Sequence, residues 1–459
     1  MPDLLALQRD FSGRRSGVVF KHHPAAEEST VTAPTVNMLF FRTALVLTCS
    51  LVTLLDGAAL ANANDRISEL SKAATANRTR LHFDGKVFTG PAWERLLAEA
   101  RNAQFFLIGE EHGIAENPKL AAQLFTGLVE EGYEKLVIEI SPPIAQSLDQ
   151  TLKNDGIEGL QGLYELAGGE PAFFGMREEA ELLYAARAAL PDAREVLWGI
   201  DYEVASDRRL IHQLQNVPRP ESADQPLNAL VAAAEDSWTS YAQTGNILLA
   251  FSFSGDPALV RDVRNSWPDP GDEVSLILET LETTLEINRL WSDGRGWDSN
   301  ALRAGFMRSS FLRHWHDATN QGDAPKLMAK LGASHLVRGI NMTGTFDLGT
   351  LLPEIAAVEG RRSFSILVVP GMNSEVAVLD PKTWTYSPQP AKDGYSEGID
   401  LITAAAYPET FTLIDLVPLR PIVSSREKTF GGKMIQIVHG FDMLLVMSGS
   451  TASSELEHE

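Results

Sequence analysis

Gly109-Glu110-Glu111-His112-Gly113 sets two carboxylates and an imidazole between glycines, directly after the apolar run Phe105-Phe106-Leu107-Ile108. An imidazole near its ordinary pKa exchanges protons at neutral pH, and a neighbouring carboxylate fixes its tautomer and raises its basicity. The chemistry on offer is general-base catalysis at a strand end. Asn117-Pro118 then supplies a helix-capping residue type and a proline suited to a first turn, and Leu120, Leu124 and Leu128 recur at helical spacing. Glu110, Glu111, His112 and Glu116 thus fall between the carboxyl end of a strand and the start of a helix, where open α/β sheets bind ligands.

Other candidates occupy comparable places. Glu139 stands inside Leu136-Val137-Ile138-Glu139-Ile140, and a carboxylate buried in such a run must be paired, protonated or metal-bound, unless the strand is an edge and the side chain meets solvent. Asp201 follows Trp198-Gly199-Ile200; it reads equally as a pocket residue or as a cap for the helix that begins near Val204. Arg308, on a helix from Asn300 to Trp315, reads either as a group for an anionic or carbonyl ligand or as a solvated surface arginine, while His314 and His316 read as a helix C-terminal turn. Residues 324–335 fit either a strand that delivers His335 to the same edge as His112, the preferred alternative, or a short helix capped by Gly332.

Elements that position these groups come from the apolar segments Gln104–Ile108, Lys135–Ile140, Glu195–Ile200 and Ser363–Val369, with helical material between them. That alternation predicts an α/β fold with a largely parallel sheet flanked by helices. Residues 214–324 read as a helical insertion containing acidic amphipathic helices (Leu227–Tyr241, Val274–Leu290) and an aromatic loop at Phe251–Pro257. Phe411–Leu416 and Phe441–Met447 are expected to complete the sheet. Gly431-Gly432-Lys433 is expected as a hairpin turn before a strand-like Met434–Val438, and residues 449–459 as a disordered tail.

The formal charge of -22 over 459 residues repels polyanions, so nucleic acid is not an expected partner; a small molecule is. Residues 38–63 have the form of a secretory signal: Met38, Arg42, an apolar core from Ala44 to Leu55, and a small-residue run ending in Ala63. The core is short for a membrane-spanning helix. Cleavage would leave 64–448 as a single domain in a periplasmic or secreted protein, and would remove Cys49, the only cysteine. A thiolate nucleophile and disulfides are then excluded. No nucleophile elbow, phosphate-binding loop or dinucleotide glycine fingerprint is present in the sequence.

Taken together, Gly109–Gly113 with Glu116, Glu139 in its apolar run, the Trp198–Asp201 strand end and Gly332-Ala333-Ser334-His335 resemble the erythromycin esterase-like proteins, and also the haem-binding ChaN-like and the Tiki/TraB-type proteins. Resemblance to the esterases implies a metal-independent hydrolase. His112 would be general base on a water, with Glu110, Glu139 and His335 holding the pocket and stabilising charge. One residue separates Glu110 from His112, closer to the ChaN-like spacing than to the esterase pattern. The ChaN-like alternative implies a haem site, and the Tiki-like one a divalent metal ion held by His112, Glu139 and His335.

Overall fold

A computed structural model describes residues 63–165, 171–322, 324–380, 385–391, 397–423 and 429–456. The leader with residues 38–62 and Cys49 lies outside them. The chain divides into two compact units, Met1–Glu69 and Leu70–Glu459. In the first, residues 63–69 are helical; the fold that follows is that of the second.

Among the described residues, eleven strands form a nine-stranded sheet and a separate hairpin. They are β1 (Arg78–Phe83), β2 (Phe88–Thr89), β3 (Phe105–Glu110), β4 (Tyr133–Ile138), β5 (Leu197–Gly199), β6 (Lys326–Gly332), β7 (Ser363–Pro370), the hairpin β8 (Glu375–Asp380) and β9 (Thr385–Pro390), then β10 (Phe411–Asp415) and β11 (Met443–Met447). The large sheet runs β2-β1-β10-β11-β7-β3-β6-β4-β5. Every pairing from β11 to β5 is parallel, and β10 is antiparallel to both β11 and β1. Parallel strands are covered on both faces, which is why β3 is apolar throughout its buried length until it reaches Glu110.

Register brings the chemistry to one edge. Glu110 pairs with Gly332 of β6 and Val368 of β7, while Ile138 of β4 pairs with Lys330 of β6 and Gly199 of β5. The segments leaving β3, β4, β5 and β6 therefore start side by side. Glu139 sits one residue past β4 rather than within it. The 324–335 alternative resolves as a strand followed by the short helix Ala333–Leu336, which carries His335.

Several expectations are corrected. Met434–Val438 belongs to the helix Gly432–Gly440, with Met434, Ile437 and Val438 buried, so the double glycine opens a helix rather than turning a hairpin. A run of five apolar-rich residues fits both periods, and helical packing decided it. Phe251–Ser254 is a short helix with both phenylalanines buried, not an exposed aromatic loop. The helix carrying the arginines spans Gly296–Gln321, so His314 lies inside it, away from the terminal dipole. Its ring stacks on Trp198 with centroids 5.1 Å apart, its Nε2 meets the Gly199 carbonyl at 3.0 Å, and burial pushes its pKa down to about 4. Residues 449–456 are held in place by bridges from Ala452 to Ile114 and from Glu455 to Met176. No helix among the described residues is long and apolar enough to cross a membrane.

Candidate active site

Glu110 ends β3 with its side chain buried, and its two oxygens are divided among three donors. Oε1 accepts from Lys330 Nζ at 2.6 Å and lies 3.0 Å from His112 Nδ1; Oε2 accepts from the Asn117 amide. Asn117 lies in the first turn of the helix Glu116–Leu128, not at its cap. Burial would raise the Glu110 pKa, but the Lys330 ammonium and the His112 contact outweigh it and bring it to about 2. Hydrogen bonding of Nδ1 to that carboxylate leaves His112 Nε2 as the atom free to accept a proton.

His112 is fixed on a second side by Phe173, whose ring lies parallel to the imidazole at 3.9 Å. Phe173 has a positive φ of 67°, a region bulky side chains avoid. Its amide donates to Tyr386 Oη at 3.2 Å, which helps to hold that conformation. Burial lowers the proton affinity of His112, yet Glu110 and then Glu139 raise it above that of an ordinary imidazole.

Glu139 lies between the two histidines. His112 Nε2 is 3.8 Å from its Oε2, beyond hydrogen-bond range, and His335 Nε2 is 3.3 Å from its Oε1. His335 Nδ1 is tied to Asp347 at 2.7 Å. Each imidazole is thus oriented through Nδ1 by its own carboxylate and turns Nε2 toward the same third one. Beneath the gap lies Gly332, whose amide donates to Glu139 Oε2 at 2.5 Å. A Cβ at Gly332 would come within 3.1 Å of Glu139 and 3.2 Å of His112, so glycine keeps that space open.

Arg303, from the helix Gly296–Gln321, donates to Glu139 Oε1 at 2.8 Å and to both oxygens of Asp201. Despite burial, the charges of His335, His112 and Arg303 hold the Glu139 carboxyl well below the usual carboxylate range. Burial and the Arg303 charge push His335 down, but Glu139 and Asp347 raise it to about 10. At neutral pH this end of the site holds an imidazolium beside a carboxylate.

The structure therefore brings His112, Glu110, Glu139 and His335 together and adds Asp201 through Arg303. Glu116 and Arg308 are directed elsewhere. Glu116 accepts from the amide and hydroxyl of Thr451. Glu111, partly buried, passes its amide to the Val368 carbonyl. Arg308 is five residues past Arg303, about 140° round the helix. Arg303, Asp347, Lys330, Glu179 and Phe173 are not among the candidates the sequence offers, and Gly332 enters there only as a turn or cap residue. Lys330 alone carried a usable signal, a lysine inside a parallel strand, the same anomaly that marked Glu139.

A carboxy-terminal strap joins the pieces that hold His112. Ser453 donates to the Gly113 carbonyl and Ser454 to Glu178, and the Thr451 carbonyl accepts from Ala115. Arg177 donates to Ser454, and Glu455 accepts from Tyr386, whose hydroxyl holds Phe173. Removing residues 451–459 should loosen the two segments that place His112. Amide exchange should accelerate in 113–116 and 172–176. Unchanged exchange there would show that the strap holds neither segment.

Neither a divalent ion nor haem fits the donor set. Both oxygens of Glu139 are taken, by Arg303 and by the Gly332 amide, and the guanidinium occupies the place a second cation would need. Among the described residues no group of three His, Cys, Asp or Glu side chains is arranged to hold a metal. One face of the His112 ring is covered by Phe173, and its Nε2 faces Glu139.

No family model matches the chain, and no curated protein matches it. Among solved structures it is similar to a histidine-to-asparagine variant of the erythromycin esterase EreC in its open conformation, with TM-score 0.56 and 16% identity over 83% of this chain and 100% of that one. A Bacillus cereus protein gives TM-score 0.52 and 15% identity over 85% of this chain and 99% of that one. The haem-binding ChaN of Campylobacter jejuni also matches, with TM-score 0.28 and 10% identity over 61% of this chain and 87% of that one, a superposition too loose to carry weight. The fold is thus a mixed α/β one with a largely parallel central sheet, shared with the esterase EreC.

Proposed function

We propose that this protein is a hydrolase that uses a histidine-activated water on an ester or related bond. The observation that carries the proposal is the pair of carboxylate-oriented imidazoles whose Nε2 atoms converge on Glu139, at 3.8 and 3.3 Å. Neutral His112 takes a proton from water at Nε2 while the water oxygen bonds to the acyl carbon. His335, protonated and near by, favours the negative charge that develops on the carbonyl oxygen. As the tetrahedral centre collapses, the carbon–oxygen bond to the alcohol breaks and the alcohol takes the proton back from His112. Glu110 steadies the imidazolium between those two transfers.

The substrate would carry an apolar part. His335 and Asp347 form the root of a loop on which Ile340, Met342 and Phe346 stand exposed, and Trp297 reaches its carbonyl at Gly344. The test is a panel of p-nitrophenyl esters with the purified chain, with and without chelator. Turnover that survives chelation and disappears in His112→Gln supports the proposal; no turnover across the panel, or turnover abolished by chelator, overturns it.

The pH dependence follows from the two imidazoles. His112 works when neutral and its proton affinity is raised, so kcat/KM should climb at a pH above the ordinary imidazole value of 6.5. His335 works when protonated, so kcat/KM should fall again near pH 10. A pH–rate profile of wild type and His335→Gln checks this: the alkaline fall should vanish in the variant while the acid limb stays. Export belongs to the same proposal and rests on the leader alone. N-terminal sequencing of chain recovered outside the cytoplasm should begin near Asn64.

A further inference from the structure

Behind the His112–Glu110 pair is a layer of charge that the proposed reaction does not use. Lys330 points from β6 with its side chain fully buried, 2.6 Å from Glu110 Oε1 and 2.6 Å from Glu179 Oε1. Glu179 comes from the first turn of the helix Arg177–Ala189, and its Oε2 is buried with no hydrogen-bond partner. Phe174 closes the far side, its ring centroid 5.8 Å from the ammonium. Burying an ammonium between two carboxylates carries a heavy desolvation penalty, and apolar residues would fill the same space at less cost. The arrangement therefore asks for a role beyond packing.

That role is suggested by one shared atom. Glu110 Oε1 contacts both Lys330 and His112 Nδ1. We propose that Lys330 and Glu179 are positioning residues that tune His112 as a base through Glu110, Lys330 weakening its hold on a proton and Glu179 opposing Lys330. This rests on His112 being the base. The charged groups facing His112 are Glu110 from β3, Lys330 from β6 and Glu139 after β4, with Glu179 behind Lys330 and His335 and Arg303 behind Glu139. Burial, only partly offset by Lys330, raises Glu179 to about 7, so its charge changes in the range where the enzyme would work.

The experiment is a direct titration of the His112 ring by NMR in the full chain carrying labelled histidine, the signal assigned by its loss in His112→Gln. Glu179→Gln leaves the ammonium unopposed, so the His112 midpoint should fall by roughly half a unit. Lys330→Met alone would leave two buried carboxylates together and endanger folding. The paired Lys330→Met/Glu179→Leu variant removes both charges, and because the cation is the nearer, the midpoint should rise by a similar amount. Shifts of opposite sign support the proposal; midpoints that stay fixed, or move the same way, overturn it. The outcome is separable from the hydrolase proposal: ester turnover with fixed midpoints refutes the tuning alone, and opposite shifts without ester turnover refute the hydrolase alone.

Discussion

Replacing His112 by glutamine should lower kcat by roughly 10²–10⁴-fold, the usual contribution of a positioned general base. Glutamine can still donate to Glu110, but it accepts no proton at the place of Nε2. The fold should tolerate the change, because Glu110 keeps Lys330 and Asn117 as partners and is not left as an unpaired buried charge. Loss of the Phe173 stacking contact is a modest cost by comparison. The expected result is therefore a collapse of ester turnover with a thermal midpoint within a few degrees of wild type. Activity retained within threefold would remove His112 from the base position, whatever its surroundings.

How far the sequence shows this site depends on what each residue must satisfy. Phe105–Ile108 and Leu136–Ile138 were legible because strands covered on both faces must be continuously apolar, and the first ionisable residue past each apolar run must lie near the sheet edge. Glu110, His112, Glu139 and Asp201 were visible for that reason. Choosing between Arg303 and Arg308 needed the rotation of the helix about its axis, which arginine spacing alone does not set. Asp347 has two roles that its place in the sequence does not reveal: one of its oxygens caps Leu348, while the other holds His335. The tail misled for a different reason: its order comes from Glu116, Glu178 and Gly113, residues hundreds of positions away that a local window cannot see. Phe173 is hidden in the same way, its strained backbone being held by a tyrosine from β9.

Arg303→Met should produce the largest loss of stability, about 3–5 kcal/mol at pH 7, because it strips the cation from two buried carboxylates at once. Glu139 and Asp201 would be left facing a thioether, one still leaning on His335 and the other with little beyond the Tyr202 amide. The sign of the pH dependence separates this mechanism from a packing defect. In the wild type Glu139 has a lowered pKa, so its contribution is present above its unfolded value of 4.5 and is lost as pH falls. In the variant Glu139 keeps the lowering due to His335 and His112 but loses that due to the guanidinium, so its carboxyl takes up a proton at a higher pH than in the wild type. The variant therefore has less of this contribution to lose as pH falls below 4.5. The gap between the two proteins should accordingly narrow from pH 7 to pH 3, measured by urea unfolding at each pH. A further Asp201→Asn change, which removes one of the stranded charges, should recover part of the loss at pH 7. A gap that is the same at both pH values would mean that Arg303 is held for its packing on Tyr202. In that case the charge on Glu139, toward which both imidazoles turn, would need another source.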